Sequence, residues 1–203
     1  CKPSVAPVQK GDRFSKDQCP KNDFEKRSME NVPYASAVGS LMYAQVCTRP
    51  DIAFTVSVLG RYQSNPGPDH WVAAKKVMRY LKGTRDYMLV YRRSDNLEVV
   101  GYSYSNFGTC PDDRKSTSGF IFMMAGGAVS WKSVKQTLTA SSTMQAEFVA
   151  CYGAVTQAVW LRNFISGLVI VDSICRPLKI YCDNSAAVLF LKNNKSSSGS
   201  KHI

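Results

Sequence analysis

Histidine is nearly absent from this 203-residue chain: only His70 and His202 occur, the second at the C-terminal end. That scarcity argues against a Ser-His-Asp or Cys-His nucleophilic centre, and with no CxxC pair it leaves no zinc cluster to propose. No window approaches the roughly 18 consecutive apolar residues of a membrane span, and the opening CKPSVAPVQKGDRF has no apolar stretch of the kind a secretory leader carries. The sequence therefore predicts no membrane partner and an intracellular setting, cytoplasm or nucleus. Seven cysteines (Cys1, Cys19, Cys47, Cys110, Cys151, Cys175, Cys182) are odd in number and widely spread, mostly in apolar context. They read as reduced core thiols, not a disulfide framework.

What is present is apolar bulk and positive charge. With 44% hydrophobic and 11% aromatic residues the chain can build a core. Lys and Arg number 26 against 15 Asp and Glu, a formal charge of +11. The surplus concentrates in the first half, where Lys75, Lys76, Arg79, Lys82, Arg85, Arg92 and Arg93 are offset locally by Asp86 alone. A polyanion is the natural partner, and a solvated helix face is the alternative.

Along the chain, residues 1–30 are polar and Pro-containing and read as a linker with little order. Residues 31–93 read as a helical segment. PYASAVGSLMYAQVCTRPDIAFTVSVLGRYQ predicts two short packed helices broken at Pro50. After the turn SNPGPDH, Trp71, Ala74, Met78 and Leu81 form one apolar stripe, with His70 and the basic residues elsewhere and Gly83 as the stop. Strands are expected at Tyr87–Tyr91, Leu97–Tyr104, Gly119–Ala125 and Gly127–Lys132, the last two joined as a hairpin at Gly126 and Gly127. A long helix follows from Ser141 to Leu168, with Ser141 or Ser142 as N-cap and a stripe of Met144, Glu147, Cys151, Ala154, Ala158, Leu161 and Ile165. A short strand, Leu178–Cys182, leads into a last helix started by Asp183, Asn184 and Ser185. Trp71, Trp131 and Trp160 are expected in the core.

Glu147 draws attention because a carboxylate on the buried face of a long helix is costly without a donor, cation or metal. Asp183 stands at the carboxyl end of an apolar strand, where α/β sheets place functional groups. Glu147 tilting to solvent and Asp183 capping the next helix are the structural alternatives.

The words GYSYSNFGTCPDDRKSTSGF, GGAVSWKS, SSTMQAEFVACYGA, WLRNFISGL, IYCDNSAAV and SKHI, in this order, resemble the ribonuclease H region of a copia-type retrotransposon polyprotein from a plant. PYASAVGSLMYAQVCTRPDIAF and LGRYQSNPGPDHWVAAKKVMRYLKGT resemble the segment that follows the reverse transcriptase in the same polyproteins. The resemblance covers the chain from about Gly11 to Ile203. It implies an α/β, ribonuclease H-like mixed sheet of five strands with flanking helices over residues 94–203, preceded by a helical connection segment over 31–93. The last strand and final acid would lie past Ile203, so the domain reads as C-terminally truncated, and the exposed sheet edge would favour self-association.

In that family an acidic cluster holds two Mg2+ ions and cuts the RNA strand of an RNA-DNA hybrid. The family's Gly-Tyr-Ser-Asp word here reads Gly101, Tyr102, Ser103, Tyr104, and the acid two positions later is Asn106. Glu147 is kept after Ala146, with Gln145 in place of a further acid, and Asp183 is kept within Tyr181–Asn184. The surviving metal ligands are thus Glu147 and Asp183, with Tyr104 and Asn106 as degenerate positions. A phenol does not substitute for a carboxylate between two hard cations. Asp112 and Asp113, in a loop before Arg114 and Lys115, are not expected to rescue the site. The resemblance together with these departures predicts a catalytically defective ribonuclease H-like protein in which magnesium binding is weak or lost. It would bind RNA-DNA hybrid or other nucleic acid weakly through Lys75, Lys76, Arg79, Lys82, Arg114 and Lys115, without a small-molecule cofactor. The competing expectations are an active magnesium-dependent hybrid nuclease and a domesticated, non-catalytic interaction module.

Overall fold

The computed structural model describes residues 4–9, 11–94, 97–169, 174 and 177–193. His202, Cys1, Cys175 and the polar tail from residue 194 lie outside the described residues. The chain divides into two units: residues 1–88 with 110–113, and residues 89–109 with 114–203.

The first unit is helical. Helices α1 (Asp23–Glu30), α2 (Tyr34–Cys47), α3 (Ala53–Leu59) and α4 (Pro68–Gly83) follow in order, with Pro50–Ile52 forming a tight turn between α2 and α3. Pro50 cannot supply the amide that a continuing helix needs, so the break falls where the sequence placed it. Val38 and Leu41 from α2, Val56 and Leu59 from α3, and Ala74 and Val77 from α4 close a common core with Tyr34 and Ile52. The Tyr34 hydroxyl donates to the Leu59 carbonyl at 2.8 Å, satisfying the one polar atom that this buried ring carries.

Two expectations for this unit are corrected. The segment read as an unstructured linker contains a helical turn, Lys16–Gln18, and all of α1. Reciprocal local bonds account for both: Ser15 and Gln18 close a capping box, and Asn22 caps α1 by accepting from the Glu25 amide at 2.8 Å. Phe14 then packs on the core. Composition does not register such short-range caps. On α4 the buried face is His70, Ala73, Ala74 and Val77, while Trp71, Met78 and Leu81 are only partly covered. His70 faces inward because Nδ1 accepts from the Gly67 amide at 2.9 Å and its ring stacks on Tyr62 at 4.1 Å. Burial lowers its pKa, so the neutral imidazole is favoured there.

The second unit is α/β. Strands β1 (Val100–Asn106), β2 (Thr117–Met124), β3 (Gly127–Lys135) and β4 (Lys179–Cys182) form a mixed sheet in the order β3-β2-β1-β4. The first three pair antiparallel, and β4 joins β1 in parallel. Helix α5 (Thr143–Leu168) provides the crossover, and α6 (Ser185–Lys192) follows β4. This α/β architecture is consistent with the ribonuclease H-like fold that the resemblance implied. Val99 and Phe122 meet Ala158, Leu161 and Ile165 of α5 in the core between sheet and helix.

The expected strand at Tyr87–Tyr91 is absent. Tyr87, Met88 and Val90 are exposed, and the segment joins no ladder. The apolar character there serves two local anchors instead: the Tyr91 hydroxyl donates to Ala128 O and the Arg92 amide to Ala125 O. Trp160, expected in the core, is 55% exposed and stacks on Phe164. Among the described residues no helix is long and apolar enough to cross a membrane.

Candidate functional site

Helix α5 begins where the Ser142 hydroxyl accepts from the Gln145 amide at 3.2 Å, and this start fixes the phase of everything that follows. Glu147, in the second turn, shares the sheet-facing stripe with Ala146, Ala150, Cys151 and Ala154. It is 7% exposed. It does not tilt to solvent, because β1 offers it a donor. Pairing of β1 with β4 ends at Ser103 and Cys182, and beyond that point the Ser105 amide donates to Glu147 Oε1 at 2.8 Å. Gln136, just past β3, holds the helix start in place. Its Nε2 donates to Ser118 Oγ at 2.7 Å and to the Ala146 carbonyl at 2.9 Å, tying the sheet to the turn that carries Glu147.

At the end of β4, Asp183 enters the turn before α6, whose N-cap is Asn184, accepting from the Ala187 amide at 2.9 Å. The capping role considered for Asp183 thus belongs to its neighbour. Asp183 is exposed and stands beside Glu147: one ligand atom each from Glu147, Cys182 and Asp183 lie within 4.8 Å of one another. The Cys182 thiol donates to Glu147 Oε2 at 3.8 Å. Burial pushes the Glu147 carboxyl above its ordinary value, the Ser105 amide pulls it back, and the negative charge of Asp183 adds to the rise. Burial also pushes the Cys151 thiol, one helical turn further on, up to about 12.

The degenerate positions lie differently. Alternation along β1 turns the buried Ser103 and the Gln136-linked Ser105 toward α5, leaving Tyr102, Tyr104 and Asn106 on the other side. The Tyr104 ring lies over Gly119, its cross-strand partner, and burial raises its phenol pKa. Asn106 is exposed at the strand end. A pair of magnesium ions requires several hard anionic oxygens around both metals. Two carboxylates, one already accepting from an amide, and a thiol do not fit that pair.

The basic residues divide between the units. On α4, Lys75 is exposed with its ammonium 5.6 Å from the Trp71 ring centre, and Lys82 is exposed. Lys76 departs from the expected open basic face: Asp12, remote in sequence, binds its ammonium at 2.7 Å. Arg79 is half-buried, and its enclosed Nε has no hydrogen-bond partner among the described residues. In the second unit Arg114 is exposed at a left-handed backbone position, and Lys115 is half-buried. In the first unit Asp112 accepts from the Lys16 amide at 2.8 Å, an engagement remote from any metal role.

Sequence reasoning missed two members of the acidic site. Cys182 was read as a core thiol although it adjoins Asp183, and that adjacency was the available signal. Gln136 sits in a polar stretch after β3 that carries no motif.

No family model matches the chain, and no solved structure matches it. Among curated proteins, the retrovirus-related Pol polyprotein from transposon TNT 1-94 of Nicotiana tabacum is 41% identical over 202 residues, 100% of this chain and 15% of that polyprotein. The corresponding polyprotein from transposon RE2 of Arabidopsis thaliana is 34% identical over 170 residues, 84% of this chain and 12% of that protein. A Plasmopara viticola protein named secreted RxLR effector protein 161 is 47% identical over 133 residues, 66% of this chain and 94% of that one. The chain thus spans a small part of the plant polyproteins, yet one of them aligns with it along its whole length. Together with the mixed sheet and the order of its sequence words, that match assigns the chain to the copia-type, retrovirus-related Pol polyproteins of retrotransposons.

Proposed function

We propose that this retrotransposon-derived chain comprises a connection segment and a ribonuclease H-like domain whose hybrid-cutting centre is silent, leaving an intracellular module that binds nucleic acid through charge. The observation that carries this reading is the donor set at the end of β4. Glu147 and Asp183 stand with a thiol, and the residue that β1 contributes in place of an acid is Tyr104, on the other side of the sheet. Loss of the paired ions removes both nucleophile activation and leaving-group stabilisation. Several kcal/mol of transition-state stabilisation go with them, about three decades in rate or more.

A labelled RNA-DNA hybrid incubated with the chain in magnesium or manganese tests the reading. The expected result is no cleavage above that of Glu147→Gln. Cleavage that Glu147→Gln abolishes would overturn it in favour of an active nuclease. Exposed Lys75, Lys82 and Arg114 support residual, sequence-indifferent phosphate binding. The reading as a non-catalytic protein-interaction module draws on a different feature, the outer face of α5, where Tyr152, Trp160 and Phe164 are all exposed. A folded chain that shows no hybrid binding at any salt concentration would favour that second reading.

A further inference from the structure

The outer face of α5 carries more uncovered apolar surface than the fold itself requires. Tyr152, Val155, Val159, Trp160 and Phe164 recur along it at helical spacing and are each between 46% and 70% exposed. Together they present on the order of 550 Å2 of side chain, and a patch of that size on a monomer is commonly functional. Charge is almost missing there: of the 26 residues of α5, Glu147 is buried and Arg162 alone charges the outside. A polyanion or an acidic protein would find a single cation on this face.

A groove of about 250 Å3 lies beside that face, between α5 and strands β2 and β3, with Phe120, Lys132, Val134, Gly153, Thr156 and Gln157 among its walls. Two of its polar side chains are already engaged. The Thr156 hydroxyl donates to the Tyr152 carbonyl at 3.0 Å and Gln157 Nε2 to Ser130 Oγ at 3.1 Å, so an apolar insert strands neither group. Gly153 is a second sign. Glycine is a poor residue inside a helix, yet a Cβ there would meet nothing within 4 Å in its own chain. Packing within one chain gives no reason for this glycine, whereas a side chain arriving from outside does.

We infer that α5 pairs antiparallel with α5 of a second copy, the stacked Trp160 and Phe164 rings of each chain entering the groove of the other beside Gly153 and Thr156. This pairing rests on the reading of that face as an interaction surface and names its occupant. With Ala158 as midpoint, Trp160 lies opposite Thr156 of the second copy and Phe164 opposite its Tyr152, and the two-fold axis makes each contact occur twice. One surface thus holds both knob and hole, which a second copy requires and an unlike partner does not. The two rings already stack at 5.3 Å between centres, an anchor that loses little freedom on burial. With Thr156, Asn163 and the groove walls included, each copy gives roughly the 800 Å2 of a stable interface. The two Arg162 residues stand about 12 Å apart along the helix axes. That exceeds the roughly 8 Å screening length of physiological salt.

Sedimentation equilibrium of the full, reduced chain across micromolar concentrations and a salt series tests this. A monomer–dimer equilibrium is expected, and it strengthens with salt because screening relieves the repulsion between two chains of charge +11. Trp160→Ser and Gly153→Gln, the second filling the groove, each weaken association by about tenfold or more. Tyr43→Ser, altering an exposed aromatic of the first unit, leaves it unchanged. Thermal melts establish that each variant is folded, and if one fails to fold the other decides. A chain that is monomeric at every concentration and salt, or a dimer indifferent to both Trp160→Ser and Gly153→Gln, overturns the pairing. A monomer that binds no hybrid at any salt overturns the pairing alone, whereas a monomer that binds hybrid overturns with it the reading of α5 as an interaction surface.

Discussion

Among the described residues, Arg49 is the most enclosed lysine or arginine of the first unit, and the groups around it show how a single residue couples pH to stability. Its Nε and Nη2 donate to the Asp51 carboxylate at 3.1 and 2.8 Å, and Nη2 also reaches the Thr84 hydroxyl at 2.6 Å. Burial acts to raise the Asp51 pKa, but the bonds from Arg49 and Tyr80 outweigh it and hold the carboxyl below 3.8. Because the folded value lies below the unfolded one, this contribution is fully present above 3.8 and is lost as pH falls through the lowered value. Asp51→Asn is expected to cost roughly 1–3 kcal/mol near neutrality, less than a fully buried pair since the Asp51 side chain keeps partial exposure, and little in strong acid. Urea midpoints at the two extremes check this, and equal losses at both would remove charge as the cause. In the second unit, a Cβ on Gly101 would lie 2.5 Å from Cε1 of Phe122, a ring with no exposed surface, so Gly101→Ala should cost about 1–3 kcal/mol. Gly119→Ala meets the Tyr104 ring instead, which is exposed enough to swing outward. Denaturant unfolding should therefore rank Gly101→Ala as the more damaging change, and the reverse order would contradict the packing described for Phe122.

Two elements of the second unit illustrate local determination at different lengths. The β2–β3 hairpin turns on Ala125 and Gly126, both at positive φ (54° and 82°), with Met124 paired to Gly127. This is the two-residue turn whose twist matches the flanking strands, and it tolerates glycine at its second position while straining alanine at its first. Ala125→Asn is expected to stabilise the hairpin by up to about 1 kcal/mol. A thermal melt reads the result as a raised midpoint; an unchanged or lowered midpoint would mean the strain is relieved elsewhere. Helix α5 works over a longer span. Its 26 residues carry one face into the core at Ala154, Ala158, Leu161 and Ile165, and the same phase delivers Glu147 to the end of β1. Core packing and the placement of Glu147 both follow from one cap at Ser142 and one periodicity. Tyr87–Tyr91 shows where the element scale fails: a run of strand-forming residues becomes a strand only if a neighbour supplies ladder bonds, and none does here.

At the scale of the whole molecule, the charge of +11 predicts nucleic-acid affinity that falls steeply with salt. Removing Lys75 or Lys82, both exposed, should lower the slope of log K against log salt by about one each, whereas Lys76→Ala should leave it nearly unchanged because Asp12 already engages that ammonium. Filter binding or fluorescence anisotropy across a salt series measures all three, and a slope indifferent to Lys75 and Lys82 would remove α4 from the interface. The residues themselves determined the break at Pro50, a hairpin that turns one residue earlier than the Gly126–Gly127 signal, at Ala125 and Gly126, and the long helix with Glu147 on its inward stripe, because each depends on neighbours within a few positions, whereas the missing acid at Tyr104 was legible only through the resemblance to relatives. Tertiary structure alone decided that Cys182 stands with Glu147 and Asp183, that Gln136 straps α5 to the sheet, and that Asp12 pairs with Lys76. Those outcomes join positions separated by tens of residues, and strand register and helix packing determine which of them meet, a geometry that no local pattern encodes.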